Sequence, residues 1–168
     1  EDDFKNEIPK SDSIKLVSLD ASEKGKKQAI TKGVELASGN IIVTTDADCI
    51  VPKNWIESIS NNFIDEKTQM SLGSVYVKEN NTIVSLLQSS ESLILGLFTK
   101  YGAMSNSPLL ASGANLAFRK EAFQEVKGFY GNELVSSGDD MFLLEKIKNQ
   151  FGSSSIVFHD AETIPNSV

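Results

Sequence analysis

Apolar and polar positions change period several times along the chain, and each change marks an element. Residues 14–18 (IKLVS) read as a short strand. Over residues 24–37, Ala29, Ile30, Gly33, Val34 and Ala37 fall on one face at a period of 3.6, which predicts a helix. Gly39 follows where a C-terminal cap is expected. Residues 41–45 (IIVTT) form an unbroken apolar and β-branched run, the pattern of a central parallel strand covered on both faces. Pro52 opens a second helix with Trp55, Ile56, Ile59 and Phe63 on one side. Residues 70–77 read as a strand that ends before Asn80 and Asn81. Residues 83–98 predict a long helix, and its apolar positions (Val84, Leu87, Leu93, Ile94, Leu97, Phe98) are assigned to the core rather than to a membrane surface. A loop rich in Gly, Ser, Asn and Pro covers 102–113. Then come a strand at 116–119, a short helix at 120–126 and a polar loop at 127–137. A helix at 139–149 turns Leu143, Leu144 and Ile147 inward, and a last strand covers 156–159. Strands alternating with helices imply an α/β sheet with crossover helices. No buried hydrophobic strand precedes Ile14 and the last residues read as loop, so the chain is expected to be an internal piece of a larger domain, treated as a single unit over 1–168.

Composition narrows the function classes. With 168 residues, 40% of them hydrophobic, the chain can bury a real core and is not disordered by default. A net charge of −7 and a single arginine, Arg119, argue against a phosphate-reading nucleic-acid surface, so no nucleic-acid partner is expected. One cysteine, Cys49, excludes an internal disulfide framework and a cysteine-based zinc site, and it suits a reducing, cytoplasmic compartment. One histidine, His159, excludes a histidine cluster, so any metal would be held by oxygen, which points to Mg²⁺, Mn²⁺ or Ca²⁺. No uninterrupted apolar stretch reaches the ~18 residues of a membrane span, and the first ten residues are too polar for a signal peptide.

Four segments carry chemistry. Asp46-Ala47-Asp48 ends the IIVTT run, where open α/β sheets bind ligands, and two carboxylates on an extended segment share one side and invite a cation. A solvated acidic turn would look the same. Gly138-Asp139-Asp140 heads a helix; capping explains one carboxylate, and the other could face a cleft as a general base. Lys24-Gly25-Lys26-Lys27 opens the first helix and would suit a phosphate, although any one of these lysines fits a solvated face equally well. Ser112-Gly113-Ala114-Asn115 allows close backbone approach to a ligand, or is an ordinary turn. His159 reads as structural or solvent-facing, and Cys49 as a packing residue.

Taken in order, the stretches KGKKQAITKGVELASGNIIVTTDADCIVPKNWI, SGANLAFRKEAFQEVKGF and SGDDMFLLEKI resemble the inverting family 2 glycosyltransferases of the GT-A fold. They cover about a third of the chain, and their combination is more specific than any one of them. The resemblance implies a Rossmann-like three-layer α/β/α sandwich with a mostly parallel central sheet, truncated here. It implies that Asp48 binds Mg²⁺ or Mn²⁺ on the nucleotide diphosphate, with Asp46 near the ribose or the metal's water. Asp140 would be the catalytic base, and Asp139, standing where Glu is common, a substrate-side acid. Lys24, Lys26 and Lys27 would approach the nucleotide, and Gly113, Ala114 and Asn115 would line the donor sugar and acceptor. The implied partners are a nucleotide-diphosphate sugar, a UDP-sugar first, and a saccharide or lipid-linked acceptor. The family's opening strand with its first nucleotide-contacting acid is absent. The Q-x-x-R-W motif of processive, membrane-attached members would fall beyond Val168. Membrane attachment of a longer parent, at the cytoplasmic face, is therefore an expectation, and a fragment of this extent need not be active alone.

Two other readings stay in view. Aspartyl phosphatases of the haloacid dehalogenase type also place D-x-D after an apolar strand, with Asp46 as nucleophile and Asp48 as acid. Ile50, the polar stretch NELVSS before Gly138, and Leu143 in place of a later acid oppose it. An inactive nucleotide-sugar-binding or interaction fragment is the non-enzymatic alternative.

Overall fold

The computed structural model of the chain describes residues 14–19, 25–77, 82–132, 137–161 and 164–165. The described elements, in chain order, are α1 (Lys26–Leu36), β1 (Ile41–Thr44), β2 (Cys49–Ile50), α2 (Trp55–Asn62), β3 (Met70–Leu72), α3 (Ile83–Met104), β4 (Leu116–Arg119), α4 (Lys120–Glu125), α5 (Asp139–Phe151), β5 (Ile156–Phe158) and β6 (Ile164–Pro165). The chain divides into two compact units, Glu1–Leu36 and Ala37–Val168. In the first, residues 14–18 are exposed and form no strand, which corrects the expectation for IKLVS. An isolated apolar run gains strand geometry only from a neighbour to pair with.

In the second unit a four-stranded sheet has the order β1-β4-β3-β5. β4 pairs antiparallel with both β1 and β3, while β3 and β5 are parallel. Three strands therefore point one way and β4 runs against them, so the expected mostly parallel sheet is a mixed one. β1 is the outer strand of this described sheet, half-buried along its length; the expectation of a central strand between parallel neighbours is corrected. β2 and β6 form a separate two-stranded ribbon.

Side chains alternate along β4 and assign the layers. Ala117 faces α2, where Trp55, Ile59 and Phe63 pack with Ala161 and the half-buried Ile41 and Val43 of β1. Phe118 faces the other way, stacked on Phe123 of α4 at 5.3 Å, with Phe129 edge-on to Phe123 at 5.4 Å. Helices thus cover both faces. The inward residues of α5 are Leu143, Leu144 and Ile147, as its periodicity predicts.

α3 reverses its predicted orientation. Its buried residues are Ser85, Ser89, Thr99, Gly102 and Ala103, while Val84, Leu87, Leu93, Ile94, Leu97 and Phe98 are exposed. The helix lies close to the body on small residues: a Cβ on Gly96 would stand 2.9 Å from Ser74 Oγ. Its inward hydroxyls are satisfied locally, Thr99 Oγ1 donating to Leu95 O at 2.9 Å and Ser89 Oγ to Tyr76 OH at 3.2 Å. Thr82 and Ser85 close a capping box at its start. It also runs through Met104, three residues into the predicted loop. No described helix is long and apolar enough to cross a membrane.

Candidate active site

The acidic tripeptide follows β1 as a turn rather than an extended segment. Cys49 N–H donates to Asp46 O at 3.1 Å, closing Asp46-Ala47-Asp48-Cys49. The strand-alternation argument for carboxylates on one side is corrected accordingly; what groups them is the turn. Asp46 is half-buried and Asp48 exposed. The turn is pinned at both ends: Thr44 Oγ1 donates to Leu116 O at 3.4 Å before it, and β2 pairs with β6 directly after it. Cys49 Sγ lies 3.9 Å from Asp48 Oδ1. Burial first, and then the Asp48 carboxylate, push the thiol pKa above its ordinary value, so Cys49 stays a thiol.

A second turn, Ser112-Gly113-Ala114-Asn115, precedes β4 and is closed by Asn115 N–H to Ser112 O at 3.0 Å. Its Gly113 N–H donates to Asp140 Oδ2 at 2.8 Å, and the other carboxylate oxygen accepts from Met141 N–H at 3.2 Å. Ala111 N–H meets Met141 Sδ at 3.3 Å, a further tie between this segment and the start of α5. Neither acid of the pair is the cap. Gly138 takes that place in the left-handed conformation, φ +78°, which glycine adopts without strain. Asp139 and Asp140 stand half-buried in the first turn, where the helix dipole favours negative charge.

The sheet register joins these two turns. Thr44, two residues before Asp46, lies opposite Leu116, three residues after Gly113. Leu116 is also opposite Leu72, which lies beside Phe158. The ends of β1, β3 and β5 and the start of β4 therefore share one edge. That edge carries the Asp46–Asp48 turn and, through Gly113, the Asp140 carboxylate. It is the carboxyl edge at which open α/β sheets take ligands. A cavity of about 440 Å³ runs along α5, lined by Gly138, Met141, Phe142 and Glu145 and by Pro108 and Leu109; neither Asp140 nor the Asp46–Asp48 turn lines it.

Asn115 is corrected. Its side chain is fully buried and serves the core instead of lining a sugar. Oδ1 accepts from Trp55 Nε1 and from His159 Nε2, each at 2.8 Å; Nδ2 donates to Ser74 O at 2.8 Å and Ala161 O at 2.7 Å. All its hydrogen-bonding capacity is used. The Ala114 side chain is buried as well, so neither Ala114 nor Asn115 offers its side chain to a ligand at this turn. His159 is structural, its Nδ1 2.8 Å from Ser71 Oγ, which in turn accepts from Asn62 Nδ2 at 2.8 Å. Ser71 and Asn62 are residues that sequence reasoning missed, and Trp55 was read there only as part of an apolar helix face. A Cβ on Gly73 would collide with both the Asn115 amide and the His159 ring. Lys24 lies outside the described residues, and Lys26 and Lys27 open α1 in the first unit.

The donor set fits a hard cation shared with a substrate. Among the described residues no three His, Cys, Asp or Glu side chains cluster as a complete metal cage. The turn offers two carboxylates, and Mg²⁺ and Mn²⁺ sites of this kind use one or two carboxylates and fill the other positions with phosphate oxygens and water.

The chain is similar to known proteins. The sequence profile of glycosyl transferase family 2 matches residues 2–127 and so stops short of Asp139 and Asp140. Poly-beta-1,6-N-acetyl-D-glucosamine synthase of Staphylococcus epidermidis is 24% identical over 135 residues, 77% of this chain and 32% of that protein. The chain spans about a third of the length of the curated relatives it matches. Among solved structures, a mannosyltransferase from Pyrobaculum calidifontis, in complex with GDP-Man and Mn²⁺, superposes with a TM-score of 0.62 at 17% identity, over 87% of this chain and 37% of that one. Glucosyl-3-phosphoglycerate synthase from Mycobacterium tuberculosis, in complex with Mn²⁺, UDP-glucose and phosphoglyceric acid, gives 0.52 at 16% identity, over 81% and 44%. These likenesses show the GT-A fold.

Proposed function

Because the chain belongs to glycosyl transferase family 2, we propose that its site moves a sugar from a nucleotide-diphosphate donor to an acceptor hydroxyl with inversion. Asp140 is the general base, and Asp46 and Asp48 hold Mg²⁺ or Mn²⁺. The observation that carries this reading is the Gly113 N–H···Asp140 Oδ2 bond of 2.8 Å, taken with the Thr44–Leu116 register that brings the acidic turn to the same sheet edge. The family assignment removes the support for an aspartyl phosphatase.

The chemistry follows from what each group can do. An acceptor hydroxyl is a weak nucleophile, so a carboxylate must take its proton as the new bond forms. Two N–H donors fix the Asp140 carboxylate, and a carboxylate has further acceptor positions for that proton. Attack opposite the leaving diphosphate inverts the anomeric carbon. When bound, the cation supplies charge neutralisation to the departing diphosphate. Asp46 and Asp48 are the residues that would hold that cation. The Ser112–Asn115 turn keeps backbone at that edge, because the buried Asn115 anchors it. Alignment of both substrates in one cleft then supplies much of the rate. The GDP-Man and UDP-glucose bound by the similar structures support a nucleotide sugar as the donor class. A UDP-sugar with a saccharide or lipid-linked acceptor is the first pair to try.

The test is transfer from labelled nucleotide sugars by the wild-type and Asp140→Asn proteins, with nucleotide binding measured alongside. The expected result is a loss of transfer of roughly 10²-fold or more with nucleotide affinity unchanged. Loss of nucleotide binding together with transfer, or full activity in Asp140→Asn, overturns the base assignment.

A further inference from the structure

The outer face of α3 is a helix-pairing surface, and we propose that it pairs with the α3 of a second copy of this chain, antiparallel about a two-fold axis. This goes beyond sugar transfer and does not depend on it. Ile83, Leu87, Ser90, Ile94, Leu97, Tyr101 and Met104 follow one another at intervals of four, three, four, three, four and three. That alternation is the seam of helix-on-helix packing. Every one of the seven is exposed, Ile83 by 80% and Tyr101 by 67%. The small residues that face the body, Ser85, Ser89, Gly96 and Thr99, lie on the side of the helix away from the seam. Val84, Leu93 and Phe98 broaden the seam on its flanks.

Size and self-complementarity choose the occupant. In all, eleven large apolar side chains of α3 are exposed. Their area is on the order of 1,000 Å², well above a monomer's usual patch and enough for the roughly 800 Å² each partner gives a standard interface. Laid antiparallel on itself, the seam sets Leu87 of one copy against Met104 of the other, Ser90 against Tyr101, and Ile94 against Leu97. Each pair occurs twice, as an isologous contact requires. The one small seam residue thereby receives the largest. A lipid surface fits less well. Interfacial helices flank their apolar face with Lys and Arg, whereas α3 carries only Glu91 and Lys100, the latter bound to Asp160 at 2.7 Å, in a chain of net charge −7.

Sedimentation equilibrium of the 168-residue chain across the micromolar range tests the proposal. The expected mass rises from 18.3 kDa to twice that, and Ile94→Asp with Leu97→Asp stays monomeric with unchanged far-UV circular dichroism. As a second readout that needs no destabilising charge, Ser90→Cys with Tyr101→Cys in a Cys49→Ser background should form an inter-chain disulfide on mild oxidation. Three results overturn it: a monomer throughout, a dimer that survives the aspartate pair and does not cross-link, or a monomer whose seam binds neutral phosphatidylcholine vesicles.

Discussion

Asn115 Oδ1 is an acceptor only, so both of its neighbours must donate to it: Trp55 through its indole N–H and His159 through Nε2–H. That leaves His159 Nδ1 as an acceptor from Ser71 Oγ–H, and Ser71 Oγ as an acceptor from Asn62 Nδ2. The network has one consistent direction, and it requires neutral histidine. Burial accordingly pushes the His159 pKa from 6.5 down to about 4, with Asp160 pulling weakly the other way. The unfolded chain takes up this proton before the folded one, so stability is complete above about pH 6.5 and falls as the pH drops from there to about 4. The loss expected across that window is about 3 kcal/mol. Urea midpoints measured at pH 7 and pH 4.5 should show it, and His159→Gln, less stable at neutral pH, should lack that pH dependence; an unchanged slope would exclude His159 as its source. A structural role was among the readings open for His159, but the network it joins was not legible locally. The sequence showed an asparagine in a small-residue turn and a histidine after an apolar run. Their partners lie 60 and 44 positions away. The position of Asp46 and Asp48 just past a strand was legible because strand run and carboxylates are contiguous; the turn that groups them was not.

α3 shows where periodicity stops. An amphipathic pattern says which residues share a face and leaves open which face turns inward. The inward choice here was made by Gly96 against Ser74 and by hydroxyls that bond within reach, not by apolar content. Substitutions on this helix should therefore act in reverse of ordinary expectation. Ser89→Leu puts bulk where the helix meets the body and should cost about 1–3 kcal/mol. Ile94→Gln, on the outer face, should stay within about 0.5 kcal/mol in dilute solution. Urea unfolding at low protein concentration measures both, and an Ile94→Gln penalty larger than that of Ser89→Leu would place the outer face inside. Some elements followed their patterns more directly: α5 turned Leu143, Leu144 and Ile147 inward and β4 kept its predicted bounds, whereas β3 covers only Met70–Leu72 of the strand predicted over 70–77. β1 was misassigned because a β-branched run is compatible with any strand neighbour, while its actual antiparallel partner is set by residues 72 positions on, as in the Thr44–Leu116 contact.

At the scale of the molecule, the alternation of elements identified the α/β class, and the register of β4 supports the proposed function, because it brings both acidic segments to one edge. If that edge is a nucleotide-sugar site, ligand and fold stability are linked. UDP with Mn²⁺ at roughly a hundred times its dissociation constant should stabilise the native chain by about 2.7 kcal/mol. For a chain of this size that corresponds to a rise in Tm of roughly 5–10 °C. Asp48→Ala should abolish the metal-dependent part of the rise, and a chelator should do the same to the wild type. Asp140→Asn should keep the rise, because its carboxylate is asked to take a proton from the acceptor and not to hold the donor. A rise that Asp48→Ala leaves intact would separate nucleotide binding from the acidic turn. No rise with UDP or GDP would mean that this stretch of chain, though folded as a family member, lacks part of the donor site and acts only together with further residues.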